Sequence, residues 1–461
     1  MQKSKLQIKN QNLTELTLTE TLRALEEKQF SLEELNKNYL ERIEKYNPQL
    51  NAYLHINQDN KKIPAAIKDV ISTRGVPTTA SSKVLQGYIP PYDSTVINRL
   101  LENGISIIGK TNCDEFAMGG SGENSAYGPT KNPWDINKVS GGSSSGSAVA
   151  VAADLCVFAL GSDTGGSVRQ PASFTGIVGL KPSYGRVSRY GLIAMASSLD
   201  QIGPMTKSVE DAALVLDWIS GEDGYDSNCI NSKFQITNNK LQQGVKGLTI
   251  GMPKEYFGVG LDPKVEKVIK DAIKKLEELG GETIEISLPH SQYALAAYYV
   301  IVPSEVSSNM ARYDGIRFGK DRESIGQEVK RRIMLGTYSL SSGYWEDYYA
   351  KAAKVRALIK QDFEKAFANV DIIVGPVSPT VAWNLGEKMD DPLTMYLSDI
   401  YTISANLAGI PGLSVPCGSS DGLPVGLQIL GKQWDEETIL RVGYAYEQVT
   451  GWHNKKPKLD L

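Results

Sequence analysis

Histidine and cysteine are both scarce in this 461-residue chain, which contains three of the first and four of the second. Cys113, Cys156, Cys229 and Cys417 form no C-x-x-C pair and have no histidine close by, so neither a zinc site nor a disulfide framework is indicated. That usage fits a reducing cytoplasm, the expected localisation. No uncharged apolar stretch reaches 18 residues, and the basic N-terminus Met-Gln-Lys-Ser-Lys is followed by no apolar core. A chain with no membrane span, and not secreted, is therefore expected. Charge of one sign is lacking too: 49 Lys plus Arg stand against 53 Asp plus Glu, a formal net charge of −4, which leaves no nucleic-acid footprint. Repeats, low-complexity linkers and charge blocks are absent. One large domain over residues 1–461 is the expected organisation, with a helical segment over 1–50 packed on the core.

What the chain has is alternation. Thr17 with Glu20 and Ser31 with Glu34 have capping-box spacing and open two helices, the second striped by Leu32, Leu35, Tyr39, Leu40 and Ile43. Strand-like runs follow at 63–71, 105–109 and 155–160, and again at 371–377, 413–416 and 425–430. A βαβ unit is legible at 248–288, its helix capped by Asp262, started by Pro263 and ended by Gly280. The fold class expected is α/β, a single layered α/β/α domain around a mixed, twisted sheet.

Residues 140–147 read Ser-Gly-Gly-Ser-Ser-Ser-Gly-Ser, and 161–167 read Gly-Ser-Asp-Thr-Gly-Gly-Ser. Ser143 and Ser167 are thus glycine-wrapped serines 24 residues apart. Glycines let backbone N–H groups crowd onto a reacting carbonyl, as acyl transfer requires. A flexible linker is the plain alternative, but the intervening residues are too apolar. A phosphate loop would need a lysine after the glycines, and none is there. Either serine could be the nucleophile. His55, His290 and His453 all lie more than 80 residues from both serines, so nothing local suggests a Ser-His-Asp relay.

Lysine is then the base to look for. Lys68 sits in Ile-Pro-Ala-Ala-Ile-Lys-Asp-Val-Ile, a strand pattern. Two readings use the same residues: an edge lysine that points to water or pairs with Asp69, or a desolvated amine able to take a proton.

The combination is identifiable. Ala65 to Asp69, Gly109 to Asn112 with Asp114 to Gly119, the serine-rich loop, Gly161 to Ser167, Gly179 to Ser188 and Ser198 to Pro204 together resemble the amidase signature family over most of the chain. Phe116 to Gly119, Arg186 to Arg189, Leu335 to Thr337 and Asp390 to Tyr396 point within it to the glutaminase subunits of tRNA-dependent amidotransferases. The resemblance implies Ser167 as nucleophile, Ser143 as a bridging serine on a cis peptide and Lys68 as base. It further implies an oxyanion hole from Thr164, Gly165, Gly166 and Ser167, and a glutamine pocket with Arg332 on the α-carboxylate, Asp399 on the α-ammonium and Tyr298 as a wall.

It implies no metal or cofactor in this chain. ATP and Mg would be used by a partner. The partners would be two, a larger tRNA-binding protein and a small one, the B and C members of the amidotransferase, with misacylated tRNA met only through the complex. A free-standing amidase and a catalytically idle scaffold are the alternatives. The chain departs from the family pattern in four places. Most of a helical segment before Ile63 is missing, the Gly319 to Glu328 connector is short, Ser145 replaces a usual glycine, and Val70 stands where asparagine is common.

Overall fold

The computed structural model describes residues 12–459. Local rules act first. Thr17 and Ser31 cap helices Leu18–Glu26 and Leu32–Leu50 with complete capping boxes, in which Glu20 and Glu34 return to the cap N–H groups. The free N–H groups of Leu18 and Thr19 reach across to the Asp211 carboxylate at 2.8 and 3.0 Å, fastening the first helix to the body. Leu35, Tyr39 and Ile43 bury the inner stripe of the second. Of the 1–50 segment, residues 1–11 lie outside the described range.

The strands are β1 (Tyr53–Ile56), β2 (Ile63–Lys68), β3 (Ile105–Thr111), β4 (Lys131–Asn132), β5 (Asp135–Val139), β6 (Phe158–Asp163), β7 (Val178–Lys181), β8 (Gln201–Thr206), β9 (Thr249–Pro253), β10 (Glu282–Ile286), β11 (Ile372–Pro376), β12 (Gly412–Ser420) and β13 (Leu423–Gly431). β4 and β5 pair separately, and the other eleven form one mixed sheet in the order β1, β3, β2, β6, β8, β7, β12, β13, β11, β9, β10. β2 is parallel to both β3 and β6, and β9 is parallel to β10 and β11. The expected βαβ unit is the last of these: β9, helix Pro263–Glu278 capped by Asp262, and β10. One continuous core runs from Leu18 to Tyr446.

Several strand boundaries differ from the sequence reading, and two of them have a clear local cause. The 63–71 run leaves the sheet after Lys68, because Ile71 N–H turns back onto the Lys68 carbonyl at 3.0 Å. The 155–160 run starts late and ends late. Asp154 takes a left-handed turn at φ 57°, and Leu155 N–H closes the preceding helix on Ala150, so pairing begins only at Phe158 and continues through polar Ser162 and Asp163. Apolarity marks burial there, not strand.

This topology places the site. β2 and β6 lie side by side in parallel, with Ala65 opposite Phe158, Ala66 opposite Ala159 and Ile67 opposite Leu160. Lys68 ends one strand, and the loop 164–167 leaves the other at the same carboxyl edge, where open α/β sheets hold their ligands. Helix Ser145–Ala152 packs over β2, β3, β6 and β8 with every residue buried. A Cβ on its Gly146 would fall 2.3 Å from the Ala52 carbonyl, so the close approach needs glycine.

The four departures are absorbed locally. Ser145 Oγ donates to Thr130 Oγ1 at 3.2 Å, and Val70 is fully buried. Asn60 and Asn36 bond at 2.6 Å beneath the short segment before Ile63. Gly326 N–H ends the short connector on the Glu115 carboxylate at 2.8 Å. Among the described residues no helix is long and apolar enough to cross a membrane.

Candidate active site

Lys68 is interior. β2 lies between β3 and β6, and the side chain has no exposed surface. Its neighbour Asp69 is engaged elsewhere, accepting from the Thr79 and Ser81 N–H groups and facing Lys110 at 4.0 Å, so the edge-strand and Asp69-paired readings both fall. Lys68 Nζ lies 2.7 Å from Ser143 Oγ, 3.0 Å from Ser162 Oγ and 3.3 Å from the Ser162 carbonyl oxygen. Burial pushes the amine from 10.5 down to about 8, and the carboxylates of Asp114, Asp163 and Asp200 pull back without cancelling it. A neutral amine has two N–H donors and one lone pair. Ser162 offers an acceptor to each N–H, which leaves the lone pair for the Ser143 hydroxyl.

Ser143 follows a cis peptide bond after Gly142. Gln170 Oε1 receives the Gly142 N–H at 2.9 Å, and Ser144 N–H donates to the Ser167 carbonyl at 3.1 Å, which holds the two serine loops together. Ser143 is fully buried, whereas Ser167 keeps 9% of its surface exposed.

The loop after β6 is built around Asp163. Its carboxylate accepts from Gly166 N–H at 2.8 Å, Val168 N–H at 3.1 Å, and Arg169 Nε and Nη2 at 3.1 Å each. Burial would raise this carboxyl, but Arg169 outweighs it and keeps the group below the ordinary range. The sequence reading put Gly166 among the oxyanion donors. In the structure its N–H is spent on Asp163, and its part is conformational: φ is +135°, and a Cβ would lie 2.4 Å from Thr402 Oγ1. The N–H groups of Thr164, Gly165 and Ser167 have no acceptor among the described residues. Thr164 is steadied through its hydroxyl, which donates to Asp200 Oδ1 at 2.7 Å; burial pushes Asp200 up to about 6.

Tyr298 closes on this loop, since a Cβ on Gly165 would lie 2.5 Å from its hydroxyl. Gly165→Ala should therefore displace either the wall or the donor loop. We expect a roughly 10²- to 10³-fold fall in amide turnover, the usual effect of losing one oxyanion donor, with the thermal midpoint nearly kept. Unchanged turnover would take Gly165 N–H out of the hole.

Asp399 lies beside the same loop: its carbonyl and that of Gly165 both accept from the Thr402 hydroxyl, at 2.9 and 2.6 Å. Its Oδ1 is sealed and has no hydrogen-bond partner among the described residues. Burial, then the charge of Asp163, pushes its carboxyl well above the ordinary range. Arg332 is buried on helix Gln327–Ser339, with its guanidinium over the rings of Tyr299 and Tyr396 at 5.3 and 5.7 Å. Burial opposes its charge, but Glu328 and the surrounding tyrosines reinforce it. Arg332 is therefore an interior charge, not a surface one. Asp399 and Arg332 sense each other's charge, as Tyr298 senses both.

Sequence reasoning missed Ser162, Asp163, Asp200, Glu328, Tyr299, Tyr396 and Thr402. Ser162 and Asp163 stood inside a motif already noted, one and two places past Gly161, where strand alternation gives them opposite faces. Glu328 had the i, i+4 spacing to Arg332 as a signal.

The chain also resembles known proteins in sequence and in fold. An amidase family model matches residues 34–440, and the chain belongs to the amidase family. Within it, the glutamyl-tRNA(Gln) amidotransferase A subunit of Thermoanaerobacter pseudethanolicus is 53% identical over 481 aligned positions, covering 97% of this chain and 98% of that protein. The crystal structure of the glutamyl-tRNA(Gln) amidotransferase A subunit from Thermotoga maritima superposes with a TM-score of 0.88 at 43% identity, covering 98% of this chain and 99% of the other. A peptide amidase solved with the competitive inhibitor chymostatin is more distant, at 30% identity and a TM-score of 0.82 over 98% of this chain and 99% of its own.

Proposed function

We propose that this chain is the glutaminase subunit of a tRNA-dependent amidotransferase, hydrolysing glutamine to release ammonia for a misacylated Glu-tRNA(Gln). The observation that carries the reading is the buried, desolvated Lys68 amine 2.7 Å from Ser143 Oγ, next to the Thr164 to Ser167 loop. The likeness to glutamyl-tRNA(Gln) amidotransferase A subunits supports an amidotransferase, and glutamine as its amide donor is part of this reading.

In this mechanism Ser167 Oγ attacks the carboxamide carbon of glutamine. Its proton passes to Ser143 Oγ as the Ser143 proton passes to neutral Lys68. The carbonyl oxygen, now negative, rests on the N–H groups of Thr164, Gly165 and Ser167. Collapse breaks the C–N bond; Ser143 returns its proton to the departing nitrogen, is reprotonated by Lys68, and ammonia leaves. Water then attacks the ester on Ser167 by the same relay, giving glutamate and the free serine. Arg332 would hold the α-carboxylate and Asp399 the α-ammonium, with Tyr298 as the wall.

The partners in this reading are the B and C members of the amidotransferase, the first binding tRNA and the second small. Any ATP and Mg used to activate the tRNA-borne carboxylate act on the tRNA-binding partner. Among the described residues this chain gathers no group of three His, Cys, Asp or Glu able to hold a metal ion. Labelling the purified protein with a glutamine-like electrophile should place the adduct on Ser167 in a peptide map. An adduct on Ser143 would reverse the two serine roles, and no adduct would favour an idle scaffold.

A further inference from the structure

The pocket arginine is held in an unusual way. The buried Arg169 and Arg186 each meet a carboxylate with two nitrogens, Nε and Nη2, as a guanidinium fork paired for stability does. Here Glu328, one turn earlier on the same helix and itself buried, accepts from Arg332 through Nε alone, at 2.8 Å. The same Oε1 accepts from the Tyr396 hydroxyl at 2.8 Å, while the other oxygen takes Arg331. Tyr396 in turn stacks on Tyr299 with ring centroids 3.8 Å apart, and both rings lie under the Arg332 guanidinium. The Nη1 and Nη2 groups, which a carboxylate ligand would need, make no hydrogen bond among the described residues. Arg331 also shares the negative charge of Glu328, so the pair does not cancel the cation it holds.

We infer that Glu328 is a positioning residue for substrate specificity: by gripping Arg332 at its inner edge, together with Tyr396, it turns the guanidinium fork outward to receive the α-carboxylate. This rests on the glutamine pocket proposed above. An arginine left without Glu328 would keep its charge but lose its aim, and the contribution lost would be the one made by the substrate carboxylate.

The test compares L-glutamine with 4-aminobutanamide, which lacks only that carboxylate. The full chain is assayed for hydrolysis of both, and a Ser167→Ala version is titrated with both by calorimetry. For Glu328→Ala the preference for glutamine should fall about 30-fold, the lower end of what an unpaired charge in a desolvated pair costs, with the loss in KM and in calorimetric affinity rather than in kcat. Glu328→Gln keeps an acceptor for Arg332 Nε and should restore most of the preference; Tyr396→Phe removes one brace and should cost a few-fold. If Glu328→Ala does not fold, these last two variants decide. Equal loss on both amides, or loss confined to kcat, would overturn the inference. So would an intact preference in Glu328→Ala where Arg332→Ala has lost it. An intact preference in Arg332→Ala would instead overturn the pocket itself.

Discussion

Lys68→Ala is expected to lower the glutamine turnover number by about 10³-fold or more, since removing a general base that also activates the nucleophile takes away both contributions. The fold should persist, because the strand around Lys68 is held by neighbours on both sides and by an apolar register that does not involve the amine. Lys68→Arg should be nearly as damaging, for a guanidinium does not release its proton at physiological pH. The same reasoning fixes the pH profile. With burial holding the amine at about 8, the active form is the minor one at neutral pH, so kcat at saturating glutamine should climb almost tenfold per unit below about pH 7 and level off above about pH 8. Stopped assays of ammonia release across pH 6–9.5 would show this. Near-normal turnover in Lys68→Ala, or a flat profile through pH 8, would mean that another base operates.

The second large effect separates a glutaminase from a general amidase. Arg332→Ala and Asp399→Ala should each weaken glutamine by about 2 to 5 kcal/mol, or roughly 30-fold to several thousandfold, because each leaves one charge of a zwitterionic substrate desolvated and alone. Butanamide, which has neither charge, should lose far less in the same variants. Asp399 adds a sign. Its carboxyl is pushed well above the ordinary range, by burial first and Asp163 second, and only its ionised form can pair with an ammonium group. Glutamine affinity should therefore fall toward acid pH in the wild type, and Asp399→Asn should flatten that dependence. Unchanged glutamine kinetics in either alanine variant would remove that residue from the pocket and favour a free-standing amidase.

How far the sequence carried these conclusions depended on the distance over which each signal acts. The capping boxes at Thr17 and Ser31 were legible because cap and partner are three residues apart. The β9, Pro263–Glu278, β10 unit was legible for the same reason, its cap, proline and terminal glycine being local devices. Ser143 and Ser167 could be singled out by their glycines, which do not tell the two apart; the resemblance assigns the nucleophile's part to Ser167, and of the two it is the one with exposed surface. Lys68 was ambiguous because an apolar strand with one lysine reads the same at an edge and in the middle of a sheet.

What was hidden depends on remote segments. Thr402 meets Gly165 across 237 positions and Asn406 meets Asp163 across 243, and no periodicity encodes such contacts. The order of the sheet, in which β8 and β7 separate β6 from β12, was equally silent. The oxyanion loop was over-read: four N–H groups in a row invite the assumption that all face the substrate, yet Asp163 claims the third.

The parallel pairing of β2 with β6 has a consequence for how this protein fails. Side chains alternate across a strand, so slipping β2 by one residue against its neighbours would turn Lys68 to the opposite face and bring Ile67 or Asp69 to the serines. Such a chain could still bury its alanines and isoleucines on both faces and stay soluble, and it would be inert. Fidelity of folding and catalytic competence are thus one event here. A preparation that refolds with native helix content but reduced specific activity should divide into fully active and fully dead molecules, not into a uniform population of slower ones.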